Sequence, residues 1–274
     1  MSFSRPLVMS IINCTPDSFY PPSGTTEPAE AADKALAAES EGADIVDLGA
    51  ESTRPGAHYL DEEEEIRRLI PALRLFRRQS ALPVSVDTRK TAVARLALDE
   101  GANIINDISA LADPAMISLC AERKPAVIVM HGLGKERPHS PPATPEGGKT
   151  DLIIEVDHFL RTAAEKAIAG GIEKDKIIID PGFGFGKSTA DNLVLLNRLA
   201  RIGSGDYPLV IGLSRKRFIG EVTGRETEGR LAGTIAANAA AIFGGADIIR
   251  VHDTAEAVDT VKMVAAITQN GAKE

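Results

Sequence analysis

The 274-residue chain has no tryptophan, and aromatic residues make up only 4% of it. Proteins that read single-stranded nucleic acid stack bases on aromatic platforms, so this composition argues against that class. A formal net charge of −8 argues the same way, because phosphate backbones need a basic face. A small anionic ligand stays open, since it needs only a few local cations. The two cysteines, Cys14 and Cys120, show no metal-type spacing and no disulfide framework. The opening M-S-F-S-R-P-L has no apolar signal core, and no uncharged apolar stretch approaches the length of a membrane span. The expectation is a cytoplasmic protein that partners neither nucleic acid nor membrane.

What the sequence does have is a repeated pattern. Short apolar, β-branched runs recur at 7–12, 44–48, 83–87, 103–106, 126–130, 176–180, 208–212 and 247–251, each followed by turn residues. At or just past their ends stand Asn13, Thr53-Arg54, Asp87, Asn106, His131, Asp180, Ser214-Arg215-Lys216 and Arg250-x-His252. Between consecutive strands there is room for a helix. Helical patterns are identified at 28–41, 61–79, 113–122, 150–169, 189–202, 228–243 and 254–269, with Pro28 at a first helical position and acidic Asp61–Glu65 at a positive helix end. Eight strand–helix units with reactive side chains at strand C-termini predict an α/β fold, a single (β/α)8 TIM barrel. One barrel takes about 250 residues, so residues 1–274 are expected to be a single domain. Two stretches resist assignment to helix or central strand: 20–26, with Pro21-Pro22, and the Pro/Gly-rich 132–149. The second reads equally as a lid or binding loop and as a disordered insertion.

The glycine run G-F-G-F-G-K-S at 182–188 resembles a phosphate loop, but a Walker A motif needs glycine five positions before Gly186, where Pro181 stands. The better reading is a βα turn that lets Asp180 point into the barrel mouth and Phe185 or Lys187 reach over a ligand. Asp87, Asn106 and Asp180 end separate strands. Each alone could simply cap the next helix; together on one rim they supply acceptors for the N–H edge of a flat heterocycle such as a pterin. Arg54, Lys216, Arg250 and His252 add cations to that rim. Arg250 and His252 share a face by the two-residue period of a strand. With the helix start near Asp253-Thr254 they suit phosphate or pyrophosphate. Asn13 is a hard oxygen donor that could share Mg²⁺ with a pyrophosphate, and no Asp/Glu cage for an independent metal is visible.

These residues carry a family resemblance. N-C-T-P-D-S-F (13–19), G-A-E-S-T-R-P-G (49–56), V-D-T (86–88), N-D-I-S (106–109), D-P-G-F-G-F-G-K (180–187), G-L-S-R-K-R-F (212–218) and R-V-H-D (250–253) resemble the ordered signature blocks of the dihydropteroate synthase family. The match runs from residue 7 to about 265. The resemblance implies an enzyme that joins p-aminobenzoate to 6-hydroxymethyl-7,8-dihydropterin pyrophosphate, with dissociative loss of pyrophosphate. It assigns Asp87, Asn106, Met130, Asp180, Phe185 and Lys216 to the pterin. Asn13, Thr53, Arg250 and His252 go to the pyrophosphate, with Mg²⁺ on Asn13. Phe19, Thr53, Arg54, Pro55, Ser214 and Arg217 go to p-aminobenzoate. Asp87, Lys216, Arg250 and His252 are the implied catalytic groups. The family also implies a homodimer through the late helices, and sulfonamides as competitors of p-aminobenzoate.

Two departures stand out. Where the family continues its first loop as S-D-G-G, this chain reads Tyr20-Pro21-Pro22-Ser23-Gly24, and its fifth block reads Met130-His131-Gly132-Leu133-Gly134. Other readings of the same residues are a methyltetrahydrofolate–corrinoid methyltransferase and a catalytically idle pterin-binding relative. The methyltransferase would share Asp87, Asn106 and Asp180 but has no use for a pyrophosphate clamp.

Overall fold

The structure, a computed structural model, describes residues 3, 5–14, 28–51, 60–132 and 151–271. Eight parallel strands alternate with helices: β1 (Leu7–Asn13), α1 (Pro28–Ser40), β2 (Ile45–Gly49), α2 (Glu62–Arg77), β3 (Val84–Asp87), α3 (Thr91–Asp99), β4 (Ile104–Asp107), α4 (Pro114–Arg123), β5 (Ala126–Met130), α5 (Leu152–Ala169), β6 (Ile177–Asp180), α6 (Thr189–Asn197), β7 (Val210–Gly212), α7 (Arg217–Thr223), α8 (Leu231–Phe243), β8 (Ile248–Val251) and α9 (Thr254–Gly271). The ladder runs β6-β5-β4-β3-β2-β1-β8-β7. An Ile179–Leu209 bridge and the Ile179 N–H bond to Pro208 O (2.9 Å) join its two ends. The result is the expected (β/α)8 barrel.

The strand sequences explain the two faces of that barrel. Successive side chains on a strand alternate between faces. The outward set (Val46, Leu48, Val84, Val86, Ile105, Val127, Val129, Ile177, Ile179 and Ile211) belongs to one large core with the buried faces of the helices. The inward set splits into two levels. Met9, Ile45, Ile104, Ile128, Ile178, Val210 and Ile248 form a separate apolar cluster across the lower barrel. Two residues further along, the same strands present Asp47, Asn106, Met130, Asp180, Gly212 and Arg250. One step of the strand period therefore converts an apolar floor into a polar chamber.

Helix ends follow the sequence signals. Asp61, Asp113 and Asp151 accept backbone N–H bonds at the starts of α2, α4 and α5, and Ser188 and Asp191 form a reciprocal capping box at α6. Helices α3 and α7 were not among the helical patterns read from the sequence. They are nine and seven residues long and have no side-chain cap bond. The expected helix 189–202 stops at Asn197 and continues as 3₁₀ turns, while 228–243 begins as a 3₁₀ turn before α8.

Glycine is required where the β6 loop passes under its neighbour. Gly182 sits at φ +67°, and a Cβ there would lie 2.0 Å from the carbonyl oxygen of His131. Gly182→Ala should therefore cost about 3 kcal/mol, from the left-handed backbone together with the clash. A lower urea midpoint at unchanged m-value would show it. An unchanged midpoint would mean that the loop adapts.

Candidate functional site

Most of the site is the polar level of the barrel. Asp47 on β2 is fully buried, and its Oδ2 lies 2.6 Å from both Nε and Nη2 of Arg250 on β8. Nη2 of Arg250 also donates to Asp87 Oδ2 on β3 at 2.9 Å. Asn106 on β4 donates from Nδ2 to Asp47 Oδ2 at 3.3 Å. Asp180 closes the ring from β6; its Oδ1 accepts the Gly182 N–H at 2.7 Å. Glycines make room for these groups. A Cβ at Gly49 would meet Asp87 Cβ at 3.3 Å, and one at Gly212 would lie 3.8 Å from Lys216 Nζ.

Lys216 enters from the turn after β7. Its ammonium donates to the carbonyl of Phe183 and lies 5.0 Å from the centre of the Phe185 ring. The β6 loop thus gives the site Phe185, not Lys187. Lys187 turns inward and is buried: Nζ donates to Gly182 O (2.9 Å) and His131 O (3.3 Å) and meets His131 Nδ1 at 2.9 Å. Burial pushes the His131 pKa down to about 3, with Lys187 adding to the shift, so the imidazole accepts from Lys187 as a neutral ring. The sequence alternative in which Lys187 reaches over a ligand is corrected here. Three left-handed glycines at 182, 184 and 186 coil the loop around the ammonium.

The β7 and β8 loops are locked together. His252 N donates to Ser214 Oγ at 3.2 Å, and the ring Nδ1 lies 3.0 Å from the same oxygen. Ser214 is therefore buried beside His252, which itself is exposed on the rim. Arg215 pairs with Asp253 at 2.7 Å and donates to the carbonyls of Thr227 and Glu228. Arg217 projects from the first position of α7, largely exposed, with Glu221 at 3.4 Å. Asn13 ends β1 opposite Gly49, and Met130 ends β5 opposite Asp180, fully screened from solvent. Phe19, Tyr20-Pro21-Pro22, Thr53, Arg54, Pro55 and the 133–149 stretch lie outside the described residues.

Sequence reasoning missed Asp47. It also missed the second layer behind β3, where Lys90 bridges Glu51 (2.5 Å) and the buried Glu65. Asp107, also buried, ties the turn after β4 through Ser109 and Leu111.

Burial sets the charge states. It pushes Asp87 up to about 7; Arg250 opposes this, while Asp47, Glu65 and Asp107 add to it. Asp180 is likewise raised by burial, with Lys216 opposing. Lys216 is pushed down to about 8 by burial, against the pull of Asp180. Burial also works against the charge of Arg250, but Asp47 and Asp87 outweigh it and hold the guanidinium cationic. Three carboxylates, one amide and two cations thus converge on one chamber, a set that can hold a flat ring by its N–H edge beside an anionic group.

A barrel with this mouth defines a class, and the family model described as pterin binding enzyme matches residues 9–252. A dihydropteroate synthase of Bacillus subtilis is 39% identical over 97% of this chain and 90% of its own length. The structure of Xanthomonas albilineans dihydropteroate synthase with 4-aminobenzoic acid superposes with a TM-score of 0.88 at 44% identity, covering 97% of this chain and 94% of that one. The Yersinia pestis dihydropteroate synthase solved as a sulfonamide drug complex gives 0.90 at 36% identity, covering 98% and 96%. The chain belongs to the dihydropteroate synthase family of pterin-binding enzymes.

The shifted ionisations of Asp87 and Lys216 predict a pH dependence of turnover. Activity that needs Asp87 ionised should rise with pH through about 7. Activity that needs Lys216 charged should fall above about 8. A narrow bell in kcat/KM is expected. A flat profile across that window would remove one or both groups from the rate-determining machinery.

Proposed function

We propose that the chain catalyses dihydropteroate synthesis: 6-hydroxymethyl-7,8-dihydropterin pyrophosphate and p-aminobenzoate give 7,8-dihydropteroate and pyrophosphate. The observation that carries this is the convergence of Asp87, Asn106 and Asp180 with Lys216 and Arg250 at one level of one barrel. The carboxylates accept the N–H groups of the 2-amino-4-oxo edge of the pterin, with Met130 and Phe185 against the ring and Lys216 beside it. Arg250 and His252, with Asn13 and Thr53, take the pyrophosphate. Phe19, Arg54, Pro55, Ser214 and Arg217 line the p-aminobenzoate side.

In this reading the bond to pyrophosphate breaks first. The pterin-methyl cation left behind is stabilised by its own electron-rich ring and by Asp87. The aniline nitrogen then attacks the methylene and gives up its proton. The protein supplies charge, alignment and exclusion of water, which would otherwise capture the cation. Mg²⁺ fits only as a cation carried by the pyrophosphate. Among the described residues no three His, Cys, Asp or Glu side chains form a metal cage, and Asn13 offers a single amide oxygen. Mg²⁺ typically keeps several waters and takes few protein ligands beside substrate phosphates. When bound it would neutralise leaving-group charge.

No helix of the described residues is long and apolar enough to cross a membrane. A homodimer is supported by an apolar stripe on α8, where Ala232, Ala236, Ala240 and Phe243 are exposed in sequence with Met263 and Ile267 of α9. Ala236→Arg should convert a dimer to a monomer in sedimentation velocity. An unchanged coefficient would place the contact elsewhere.

The reaction is tested by steady-state formation of dihydropteroate from the two substrates alone. Arg250→Ala should lose about 2–4 kcal/mol of transition-state stabilisation, the scale of a charge-assisted contact in a dry site. A sulfonamide should inhibit in competition with p-aminobenzoate. Pterin binding without turnover would make the chain an idle relative instead.

A further inference from the structure

One charge in the chamber has no role in the reaction as drawn so far. Asp47 is fully buried and pairs with Arg250 203 residues away. Only one of its oxygens is used. Oδ1 has no hydrogen-bond partner among the described residues, although the atom is inaccessible to solvent. Removing a carboxylate from water is costly unless both oxygens are satisfied. The place of Asp47 singles it out: it meets the same guanidinium that contacts Asp87.

The neighbours say which function. Arg250 lies between two carboxylates, Asp47 on β2 and Asp87 on β3. With Asp87 alone, the guanidinium would cancel the charge that faces the pterin. With Asp47 added, the trio carries a net −1 when both carboxylates are ionised. Lys216 and Asp180 balance each other across the chamber. Resting on the synthase reading above, we propose that Asp47 is a positioning residue: it holds Arg250 through Nε and balances its charge, so that the Asp87 carboxylate stays available to the cation that forms as pyrophosphate leaves.

This role separates the ground state from the transition state. A negative charge beside Arg250 works against binding of a pyrophosphate and in favour of a developing cation. Asp47→Asn keeps the shape and an acceptor for Nε but removes the charge. The expected result is a kcat lower by about 100-fold, the scale of one lost electrostatic stabiliser. KM and the calorimetric Kd for the pterin pyrophosphate should be unchanged or lower. Thermal stability should fall only modestly, because Asp87 still opposes the buried Arg250 charge and the Asn side chain keeps an acceptor for Nε.

The acid limb of the pH–rate profile gives a second readout. Asp87 faces Arg250 from β8, Asp47 from β2, Asp107 from β4, and Glu65 from α2 with its partner Lys90. Removing the like charge at 47 should lower the Asp87 pKa, and the limb should move to lower pH. In an Asp87→Asn background the Asp47→Asn change should cost less than it does in the wild type, because part of its effect runs through Asp87. A near-wild-type kcat, a binding loss that matches the kcat loss, an unmoved acid limb, or additive losses in the double variant would each overturn the proposal. If the wild-type chain itself forms no dihydropteroate, the synthase reading fails first. If it does, only Asp47 is being judged.

Discussion

Arg250 is the cation on which the site depends. A guanidinium inside a barrel persists only where carboxylates and hydrogen bonds replace its hydration, and here Asp47 and Asp87 do so from two neighbouring strands. That requirement propagates. Asp47 draws in Asn106, and the Arg250–Asp87 contact fixes how far Asp87 can lean. Gly49 and Gly212 are the positions where a side chain would crowd Asp87 and Lys216. The chamber is dry enough to raise two carboxylates and lower a lysine, yet each charge has an opposite neighbour. This suits a reaction whose difficult moment is a separated cation and anion, since preorganised charges need no reorganisation when the bond breaks.

The apolar floor makes this charge layer possible. The polar residues stand two positions beyond Ile45, Ile104, Ile178 and Ile248, which close the lower barrel with Met9, Ile128 and Val210. Charges at the lower level would sit in the middle of the packed barrel interior. At the upper level they reach the loops that bring Lys216, Phe185 and His252. The inside of the barrel is thus divided by a single step of the strand repeat, and the stabilising part and the working part share the same strands.

That division explains what could be read from the sequence. The strands were legible because their β-branched runs end in turn residues, and Asp87, Asn106 and Asp180 were legible because they stand at those ends. Asp47 was not. It lies inside D-I-V-D-L, one residue short of the strand end, and its partner is far along the chain. A lone Asp in a strand carries no local signal of pairing with an arginine on β8. Lys187 was misplaced as one of two ligand-facing options for a related reason. Three left-handed glycines set its direction, and its acceptors include His131, 56 residues away. Helices α3 and α7 escaped because both are short and neither has the capping side chain that marks a start.

Lys187 and Asp47 show two ways in which a buried ionisable group can serve a site, one from behind the β6 loop and one from within the chamber. Lys187 spends its donors on carbonyls of the β6 loop and on His131, so it fixes the path of the chain that presents Phe183 O and Phe185 to Lys216. Its contribution is shape, and its ammonium is surrounded by acceptors. Asp47 spends one oxygen on shape, and the other has no hydrogen-bond partner among the described residues. A change that preserved hydrogen bonding but removed charge would therefore separate the two. At Asp47 it removes field while leaving geometry. At Lys187 a neutral amine would still donate to the same carbonyls but hold them less tightly, because a charge-assisted bond is roughly twice as strong as a neutral one. The chamber depends on both kinds of support: geometry carried by hydrogen bonds around the β6 loop, and charge carried by the Asp47 carboxylate on β2.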